Sequence, residues 1–314
     1  MDNTNILVVA PVKEHHRLLL EGAAPDASFT YSSYEAVTQK DVDSADIIFG
    51  NVDPAYLKEP VRLKWLQLNS AGADPYGRPG VLPSSVKLTT AVGAYGLTVS
   101  EHALSMLMSL YRRLPEYHNN QNNHLWKSCG QVRSIYGSTI LILGLGDIGG
   151  EFARKVKALG AYTIGIRHSP KEKPDYIDEQ YLLDELDELL PRADAVVICM
   201  PAAKDTYRLF NKQRLEKMNR SCVLVNIGRG SIVDCDALWE ALKDGKLYGA
   251  CLDVTDPEPL PPEHPLWKCP NVIITPHVAG FFYLPATMDR IVNIVCGNLN
   301  KYLSKQHLAN LVEH

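Results

Sequence analysis

Short apolar runs alternate with longer amphipathic segments along most of the chain. Short runs rich in Val, Ile and Leu are typical of buried strands, and apolar residues spaced three or four apart are typical of helices. The first series of predicted strands comprises residues 6–10, 47–50, 65–68 and 87–90. Strands that alternate with helices in this way predict an α/β fold with parallel sheets.

A glycine-rich turn lies between a predicted strand at 139–143 and a predicted helix that begins near Glu151. Its glycines are Gly144, Gly146 and Gly149. The first allows a tight turn, the second lets the backbone approach a phosphate, and the third lets the helix pack closely on the strand. The start of the helix adds N–H donors and partial positive charge. The segment therefore predicts a pyrophosphate-binding turn, the alternative being a tight turn without a ligand.

Six predicted strands, counted from this turn onward, complete the sheet that a dinucleotide-binding domain requires. They comprise residues 139–143, 162–167, 195–200, 223–227, 248–254 and 272–275. Long helices are predicted at 99–117 and 286–303, and the second returns the chain to the first series of strands. We therefore predict two α/β domains, each with a parallel sheet. A Rossmann dinucleotide-binding domain at 99–284 is inserted into a flavodoxin-like substrate domain made of 1–98 and 285–314.

Composition excludes several classes of protein. The formal net charge of −4 and the lack of a Lys/Arg stripe argue against a nucleic-acid partner. The 7 cysteines are scattered without a CxxC pair, which favours reduced thiols in the cytoplasm over disulfides or a metal site. The amino-terminal residues lack a basic signal region, and no apolar stretch is long enough to span a bilayer. We therefore expect a cytoplasmic protein with neither a metal nor a membrane partner.

Polar residues at predicted strand ends are candidates for catalysis, because ligands of open α/β sheets bind there. Arg229 lies between two glycines, and its planar fork suits a carboxylate held by two parallel hydrogen bonds. A structural ion pair is the alternative. His277 follows the strand at 272–275, and a carboxylate such as Glu258 beside it would favour the protonated ring that donates a proton to a carbonyl oxygen. For Glu258, a solvated loop carboxylate is the alternative.

Four motifs in fixed order carry a family resemblance: GLGDIG at 144–149, NIGRGSIVD at 226–234, DVTDPEP at 253–259 and TPHVAG at 275–280. Together they resemble the D-isomer-specific 2-hydroxyacid dehydrogenases, which include glyoxylate and hydroxypyruvate reductases. Smaller matches, such as VSEH at 99–102, extend the resemblance over nearly the whole chain. The resemblance implies an NAD(P)-dependent oxidoreductase that reversibly reduces a 2-oxo acid to the D-2-hydroxy acid, and it implies a homodimer.

The resemblance also implies roles for particular residues. Arg229 would bind the substrate and polarise its carbonyl, while His277 would be the acid/base and Glu258 its partner. The backbone N–H groups of Ala71 and Gly72 would take the substrate carboxylate. The residues implied or expected to contact the substrate are Ala71, Gly72, Tyr95 and Arg229. Those expected to bind the cofactor, with Asp253 on the nicotinamide carboxamide, are Gly144, Gly146, Asp147, Ile148, Gly149, Arg167, His168, Ser169, Met200, Pro201, Thr206, Ile227, Gly228, Asp253, Ala279 and Gly280.

The end of the second strand after the turn departs from the pattern of NAD-specific proteins. Those proteins carry an acidic residue about 20 positions beyond the glycines, where it holds the ribose 2′-OH. This chain has Arg167, His168 and Ser169 there instead. Because these residues attract a 2′-phosphate that a carboxylate would repel, we predict a preference for NADP(H). The alternative is that Arg167 stacks on the adenine and NAD(H) serves equally well.

The side chain of the substrate is not determined by these motifs. Glyoxylate, hydroxypyruvate and larger 2-oxo acids all fit the reaction. Aromatic residues near the expected site would line a pocket for a bulky side chain or would pack at the domain seam; they are Tyr76, Tyr95, Phe281, Phe282 and Tyr283, with Leu97 beside them. The rival hypothesis, from a different class, is a dinucleotide-sensing binding protein of the corepressor type without significant turnover.

Overall fold

The computed structural model describes residues 4–314, which divide into two compact α/β units. Unit 1 comprises the residues up to Tyr95 and those from Phe282 onward, and unit 2 comprises Gly96–Phe281. The assignment of substrate binding to unit 1 and of dinucleotide binding to unit 2 stays a prediction. Within the part of the chain that the structure describes, none of the helices combines the length and the apolar character needed to cross a membrane.

The chain alternates between strands and helices as the apolar pattern predicts. The strands are β1 (Asn5–Val8), β2 (Ser28–Tyr31), β3 (Ile47–Phe49), β4 (Trp65–Gln67), β5 (Lys87–Thr89), β6 (Thr139–Leu143), β7 (Tyr162–Arg167), β8 (Glu179–Leu182), β9 (Ala195–Ile198), β10 (Val223–Asn226), β11 (Gly249–Leu252), β12 (Val272–Ile274) and β13 (Leu311–Val312). The α-helices are α1 (Glu14–Ala23), α2 (Gln39–Ser44), α3 (Gly96–Tyr111), α4 (Leu114–Asn122), α5 (Asp147–Ala158), α6 (Leu186–Leu189), α7 (Lys212–Lys217), α8 (Cys235–Lys243) and α9 (Pro285–Leu303). Short 3-10 helices occur at Pro54–Leu57, Leu183–Glu185, Leu190–Arg192, Gly230–Ile232 and Pro265–Lys268.

The sheet of unit 1 has the order β13-β5-β4-β3-β1-β2. All neighbouring strands are parallel except β13, which pairs antiparallel with β5. The four strands predicted from apolar runs are present, and their central residues are almost fully buried. The edge strands β2 and β13 were not predicted: β2 alternates exposed and half-buried residues, and β13 has only 2 residues.

The sheet of unit 2 is entirely parallel and has the order β12-β11-β10-β9-β6-β7-β8. Four strands lie on one side of β6 and two on the other, so the strand order reverses between β6 and β9. The carboxyl ends of strands at such a reversal form the crevice in which ligands bind. The six predicted strands are present, and the seventh, β8, was missed because its sequence EQYL is polar and only half buried at the sheet edge.

The predicted helix over 99–117 is wrong in one respect, because it is divided into α3 and α4. Arg113 has left-handed backbone geometry with φ of 58°. Pro115 occupies the first turn of α4, where its missing N–H leaves no bond unmade, whereas within a continuous helix it would remove one. The Arg113 side chain reaches forward to Glu116, with Nη2–Oε2 at 2.7 Å, and this pair stabilises the start of α4.

Candidate active site

The glycine turn of unit 2 has the geometry of a phosphate cradle. Gly144 adopts φ of +94°, and a Cβ atom on Gly149 would lie 1.8 Å from the Gly144 carbonyl oxygen, so helix and strand approach too closely for any side chain there. A Cβ on Gly146 would meet nothing within 4 Å, which leaves open space over the start of α5. Gly146 is the N-cap of α5, and it has no side chain that could accept the first N–H groups of the helix. The start of the helix therefore fits a dinucleotide pyrophosphate.

Two of the predicted cofactor residues, Asp147 and Ile148, lie at the start of α5. The carboxylate of Asp147 accepts the backbone N–H of Gly96 at 2.7 Å, so it fixes the first residue of α3. Ile148 is half buried. Asp147 therefore has a structural partner within unit 2, whatever else it contacts.

Arg167, at the end of β7, lies beside the turn, because the Gly144 N–H donates to the Ile166 carbonyl at 2.9 Å. Arg167 Nε donates to Gln180 Oε1 at 3.0 Å, and Gln180 Nε2 donates to the Lys171 carbonyl at 2.6 Å. Gln180 was not predicted as a site residue. Because Gln180 binds Arg167 Nε, the two outer guanidinium nitrogens are the donors that would contact an anion.

The exposed side chains after Arg167 continue this end of the sheet. The imidazole of His168 lies 3.4 Å from a carboxylate oxygen of Asp205, and both side chains are exposed, as is Ser169. Solvent screens such a pair, so it contributes little to the fold. These residues and Arg167 form one polar edge next to the glycine turn.

The loop after β9 borders the glycine turn from the other side. A Cβ on Gly144 would lie 3.1 Å from the Cys199 carbonyl oxygen, which places the start of this loop against the turn. Met200 is nearly buried and is followed by Pro201. Thr206 is buried, and its hydroxyl accepts the Ala203 N–H at 2.7 Å, so it shapes the loop from within.

The segment after β10 carries Arg229. The glycines on either side of Arg229 lie very close to neighbouring backbone carbonyls. A Cβ on Gly228 would lie 2.6 Å from the Met200 carbonyl oxygen, and one on Gly230 would lie 1.8 Å from that of Thr255. Buried Asn226, missed in the sequence, accepts the Gly228 N–H at 3.1 Å and donates to the Arg229 carbonyl at 3.0 Å. Arg229 Nη1 also donates to the Gly228 carbonyl at 2.8 Å. Ile227, on the same segment, is buried.

His277 and Glu258 lie together, as the sequence suggests. His277 Nδ1 is 2.6 Å from Glu258 Oε1, and the side chains are 47% and 44% exposed, respectively. Together with Asp253, they line a cavity of about 370 Å³ in unit 2. A half-exposed imidazole with a carboxylate on one nitrogen can donate or accept a proton at the other nitrogen.

Asp253 is buried and holds the chain around His277. Its backbone carbonyl accepts the His277 N–H at 2.8 Å, and its carboxylate accepts the N–H groups of Val278 and Ala279 at 3.0 and 3.1 Å. The Ala279 carbonyl in turn accepts the Thr98 hydroxyl at 3.2 Å, and Gly280 follows half buried. The TPHVAG segment is therefore held by side chains as well as by the sheet.

The predicted substrate residues of unit 1 lie on one loop. Ala71 and Gly72 are half buried, and the Gly72 carbonyl accepts the Ser70 hydroxyl at 2.8 Å. Tyr95 is buried, which raises its pKa above the usual range, and its hydroxyl donates to the Asn69 carbonyl just before this loop. Tyr95 thus supports the loop with its hydroxyl, and contact of these residues with a substrate stays a prediction.

The aromatic residues proposed for the substrate pocket fall into two groups. Tyr76 is buried and, like Tyr95, donates its hydroxyl to a backbone carbonyl, that of Val52 at 2.8 Å. Phe281 and Tyr283, by contrast, are 45% and 78% exposed. The first group packs within unit 1, and contact of any of these residues with a substrate stays a prediction.

One cluster outside these segments has the residue types of a metal site. His15, His16 and Asp289 lie together in unit 1, and His16 Nε2 is 2.8 Å from Asp289 Oδ1. His16 Nδ1, however, accepts the Lys13 N–H at 3.1 Å, so the ring proton sits on Nε2 and is donated to Asp289. A ligating nitrogen must be unprotonated, so this cluster is better explained as a link between α1 and α9.

Known proteins match this chain over more than half of its length. The family model described as "D-isomer specific 2-hydroxyacid dehydrogenase, NAD binding domain" matches residues 104–279. A glyoxylate reductase of Korarchaeum cryptofilum is 30% identical over 282 residues, covering 87% of this chain and 83% of its own length.

Two solved structures are similar over almost their full length. A D-isomer specific 2-hydroxyacid dehydrogenase family protein from Aeromonas salmonicida superposes with a TM-score of 0.88 at 31% identity, covering 99% of both chains. The NADPH-dependent glyoxylate/hydroxypyruvate reductase of Sinorhizobium meliloti, solved with NADP and sulfate, has a TM-score of 0.83 at 27% identity. It covers 99% of this chain and 98% of its own.

Proposed function

The chain belongs to the family of D-isomer specific 2-hydroxyacid dehydrogenases and is an NAD(P)-dependent dehydrogenase; from this premise we propose that it reduces a 2-oxo acid to the D-2-hydroxy acid, preferring NADPH. The observation that carries the proposal is the 2.6 Å contact between His277 Nδ1 and Glu258 Oε1. This pair lies in the same unit as the glycine turn and supplies the proton donor that carbonyl reduction requires.

His277 provides the proton in this reaction. A bound nicotinamide cofactor supplies the hydride to the carbonyl carbon. Glu258 holds the proton on Nδ1, so the transferable proton of the charged ring is on Nε2 and moves to the carbonyl oxygen, which becomes the hydroxyl. In the oxidation direction, neutral His277 takes that proton back. Glu258 stabilises the imidazolium in both directions and orients the ring.

Arg229 is the proposed anchor for the substrate. A guanidinium binds a carboxylate through two parallel hydrogen bonds and attracts the negative charge that develops on a carbonyl oxygen. The support is its position after β10, with the flanking glycines against neighbouring backbone carbonyls. Asn226 fixes the same segment from within the sheet.

NADPH preference rests on the polar edge beside the glycine turn. Arg167, His168 and Ser169 stand where NAD-specific proteins have an acid, and Arg167 is held by Gln180. A guanidinium attracts the 2′-phosphate and has no acceptor for a 2′-OH. The related Sinorhizobium meliloti reductase is described as NADPH-dependent, which supports this assignment.

We also propose that the chain forms a homodimer through the surface formed by residues 117–128. This surface carries exposed Tyr117, Leu125 and Trp126, and Trp126 is as exposed as in an extended peptide. They border a groove of about 690 Å³. Clustered exposed apolar side chains are typical of protein–protein contacts.

The experiment that tests the proposal measures NADPH and NADH oxidation by the purified protein, followed by absorbance. The substrates are a panel of 2-oxo acids from glyoxylate and hydroxypyruvate to branched and phenyl-substituted acids. Turnover that is faster with NADPH supports the proposal, and the preferred acid gives the size of the pocket. Tight cofactor binding without turnover on any acid would contradict it and favour a dinucleotide-sensing binding protein. The configuration of the product is determined by chiral chromatography.

A further inference from the structure

A second histidine lies behind the catalytic segment. His102 is on α3, and its Nε2 atom is 3.0 Å from the Thr275 hydroxyl and 3.7 Å from Asp253 Oδ1. Its side chain is only 25% exposed. The proposed reaction gives it no part, because His277 and Glu258 already provide the proton and its counter-charge. His102 therefore needs a separate explanation.

The direction of each hydrogen bond follows from the number of protons. Thr275 Oγ1 lies 2.6 Å from Asp253 Oδ1, and a carboxylate can only accept, so the single hydroxyl proton of Thr275 is donated to Asp253. The hydroxyl oxygen must then accept from His102, which means that His102 carries a proton on Nε2. The three side chains form a directed chain of donors that ends on the Asp253 carboxylate.

The Asp253 carboxylate holds the backbone of the two residues that follow His277. Its Oδ1 accepts the Val278 N–H and its Oδ2 accepts the Ala279 N–H. His277 itself has φ of 52°, a left-handed conformation that residues other than glycine rarely adopt. A strained backbone of this kind persists only where its surroundings hold it in place. The Asp253 carboxylate provides that support directly after the strained residue.

We propose that Thr275 and His102 are positioning residues for His277. They saturate and orient the Asp253 carboxylate, which holds the left-handed turn and so keeps the imidazole against Glu258. This inference rests on the proposed function for its kinetic consequence, but its structural consequence is independent of turnover. Neither side chain contacts the reacting atoms in this role; each acts through Asp253.

The test compares Thr275→Val, which removes the hydroxyl and keeps the shape, with Thr275→Ser, which keeps the hydroxyl. Thr163→Val is the matched control, because the hydroxyl of buried Thr163 is likewise bonded to an aspartate, Asp178 at 3.0 Å, near the amino end of β7. His102→Leu removes the first donor of the chain. Thermal midpoints, cofactor Kd, and kcat and KM are measured for each variant, with ring ¹⁵N resonances of His277 recorded at one fixed pH.

We expect Thr275→Val to lower kcat, measured at saturating cofactor, by about ten-fold, because a small misplacement of a catalytic group is enough for such a loss. Thr275→Ser should restore kcat, His102→Leu should lower it less, and Thr163→Val should lower only the thermal midpoint. The His277 resonances should move in Thr275→Val and not in the control.

Two outcomes overturn the inference. One is a Thr275→Val protein that behaves like Thr163→Val, less stable but with unchanged kcat and unchanged His277 resonances. The other is a loss of cofactor binding with kcat retained at saturation. If the parent protein turns over no 2-oxo acid, the proposed function fails, while a shift of the His277 resonances in Thr275→Val still supports the positioning role.

Discussion

His277 Nδ1 lies 2.6 Å from Glu258 Oε1, although the two residues come from different loops and His277 has a left-handed backbone. The contact occupies one ring nitrogen, and the other is the proposed site of proton exchange. A carboxylate in this position fixes the ring's tautomer and stabilises its charged form. The following predictions start from this pair.

Replacement of His277 by alanine should remove the proton donor. We expect kcat for 2-oxo acid reduction to fall by about 10²–10⁴-fold, the usual contribution of a general acid. Cofactor Kd, measured by fluorescence titration, should change little. His307→Ala, at an exposed position of unit 1, is the control and should keep full activity. Near-normal turnover by His277→Ala would refute the assigned role.

Glu258→Gln should slow reduction. The carboxylate holds the proton on His277 Nδ1 and carries the charge that offsets a positively charged ring, whereas a neutral amide does not supply that charge. We therefore expect kcat for 2-oxo acid reduction to fall while cofactor Kd changes little. Steady-state rates and fluorescence titrations of parent and variant test this. An unchanged kcat would show that Glu258 does not support the proton transfer.

Arg167→Asp should shift the cofactor preference toward NADH. The carboxylate would repel the 2′-phosphate of NADPH and accept the 2′-OH of NADH, so the ratio of kcat/KM for the two cofactors should shift toward NADH. Arg220→Asp makes the same charge change at an exposed residue before β10, at the other end of the sheet, and should leave the ratio unaltered. Equal kcat/KM ratios for the two cofactors in parent and Arg167→Asp would mean that Arg167 does not distinguish a 2′-phosphate from a 2′-OH.

Two glycines of the turn should respond differently to alanine. Gly149→Ala places a methyl group 1.8 Å from the Gly144 carbonyl oxygen and should lower the free energy of unfolding by about 3 kcal/mol, as overpacking does. Gly146→Ala meets nothing within 4 Å, so stability should hold while the methyl group obstructs the pyrophosphate and weakens cofactor binding. Denaturant titrations and cofactor Kd distinguish the two effects. Unweakened cofactor binding in Gly146→Ala would argue against a phosphate at this turn.

Trp126→Asp should dissociate the proposed dimer. It places a charge among the exposed apolar side chains that border the groove, where a second copy would have to desolvate it. Sedimentation equilibrium should give twice the chain mass for the parent protein and the single chain mass for the variant. Lys204→Asp, at an exposed site on the loop after β9, is the control. A monomeric parent protein would contradict the proposal directly.

The sequence predicts the central strands well, because their burial requires continuous apolar runs. It predicts edge strands poorly: β8 and β2 need little burial, so their polar sequences resemble loops. The long helix is divided at Arg113, which has a left-handed backbone, and arginine is not a residue type that predicts such a backbone. Pro115 was the available signal.

The candidate site also contains residues that the sequence indicates and residues that it does not. Arg229, Glu258 and His277 could be predicted because their residue types and motifs indicate chemistry. The supporting residues Gln180, Asn226 and Thr275 could not, since their importance comes from single hydrogen bonds between distant segments. His102 was part of a recognised motif, but only the directed chain to Asp253 gives it a role.

The last strand, β13, has a consequence for how the protein is made. Unit 2 is one uninterrupted stretch of chain, whereas unit 1 is completed by α9 and β13. Buried Asn298 on α9 bonds to Gln67, and Trp65 stacks on Tyr302 at 5.3 Å between ring centroids. On the ribosome, the first strands of unit 1 therefore keep part of their core uncovered until all of unit 2 has been synthesised. The part of unit 1 that precedes unit 2 in the chain therefore reaches its final fold only after unit 2 has been made.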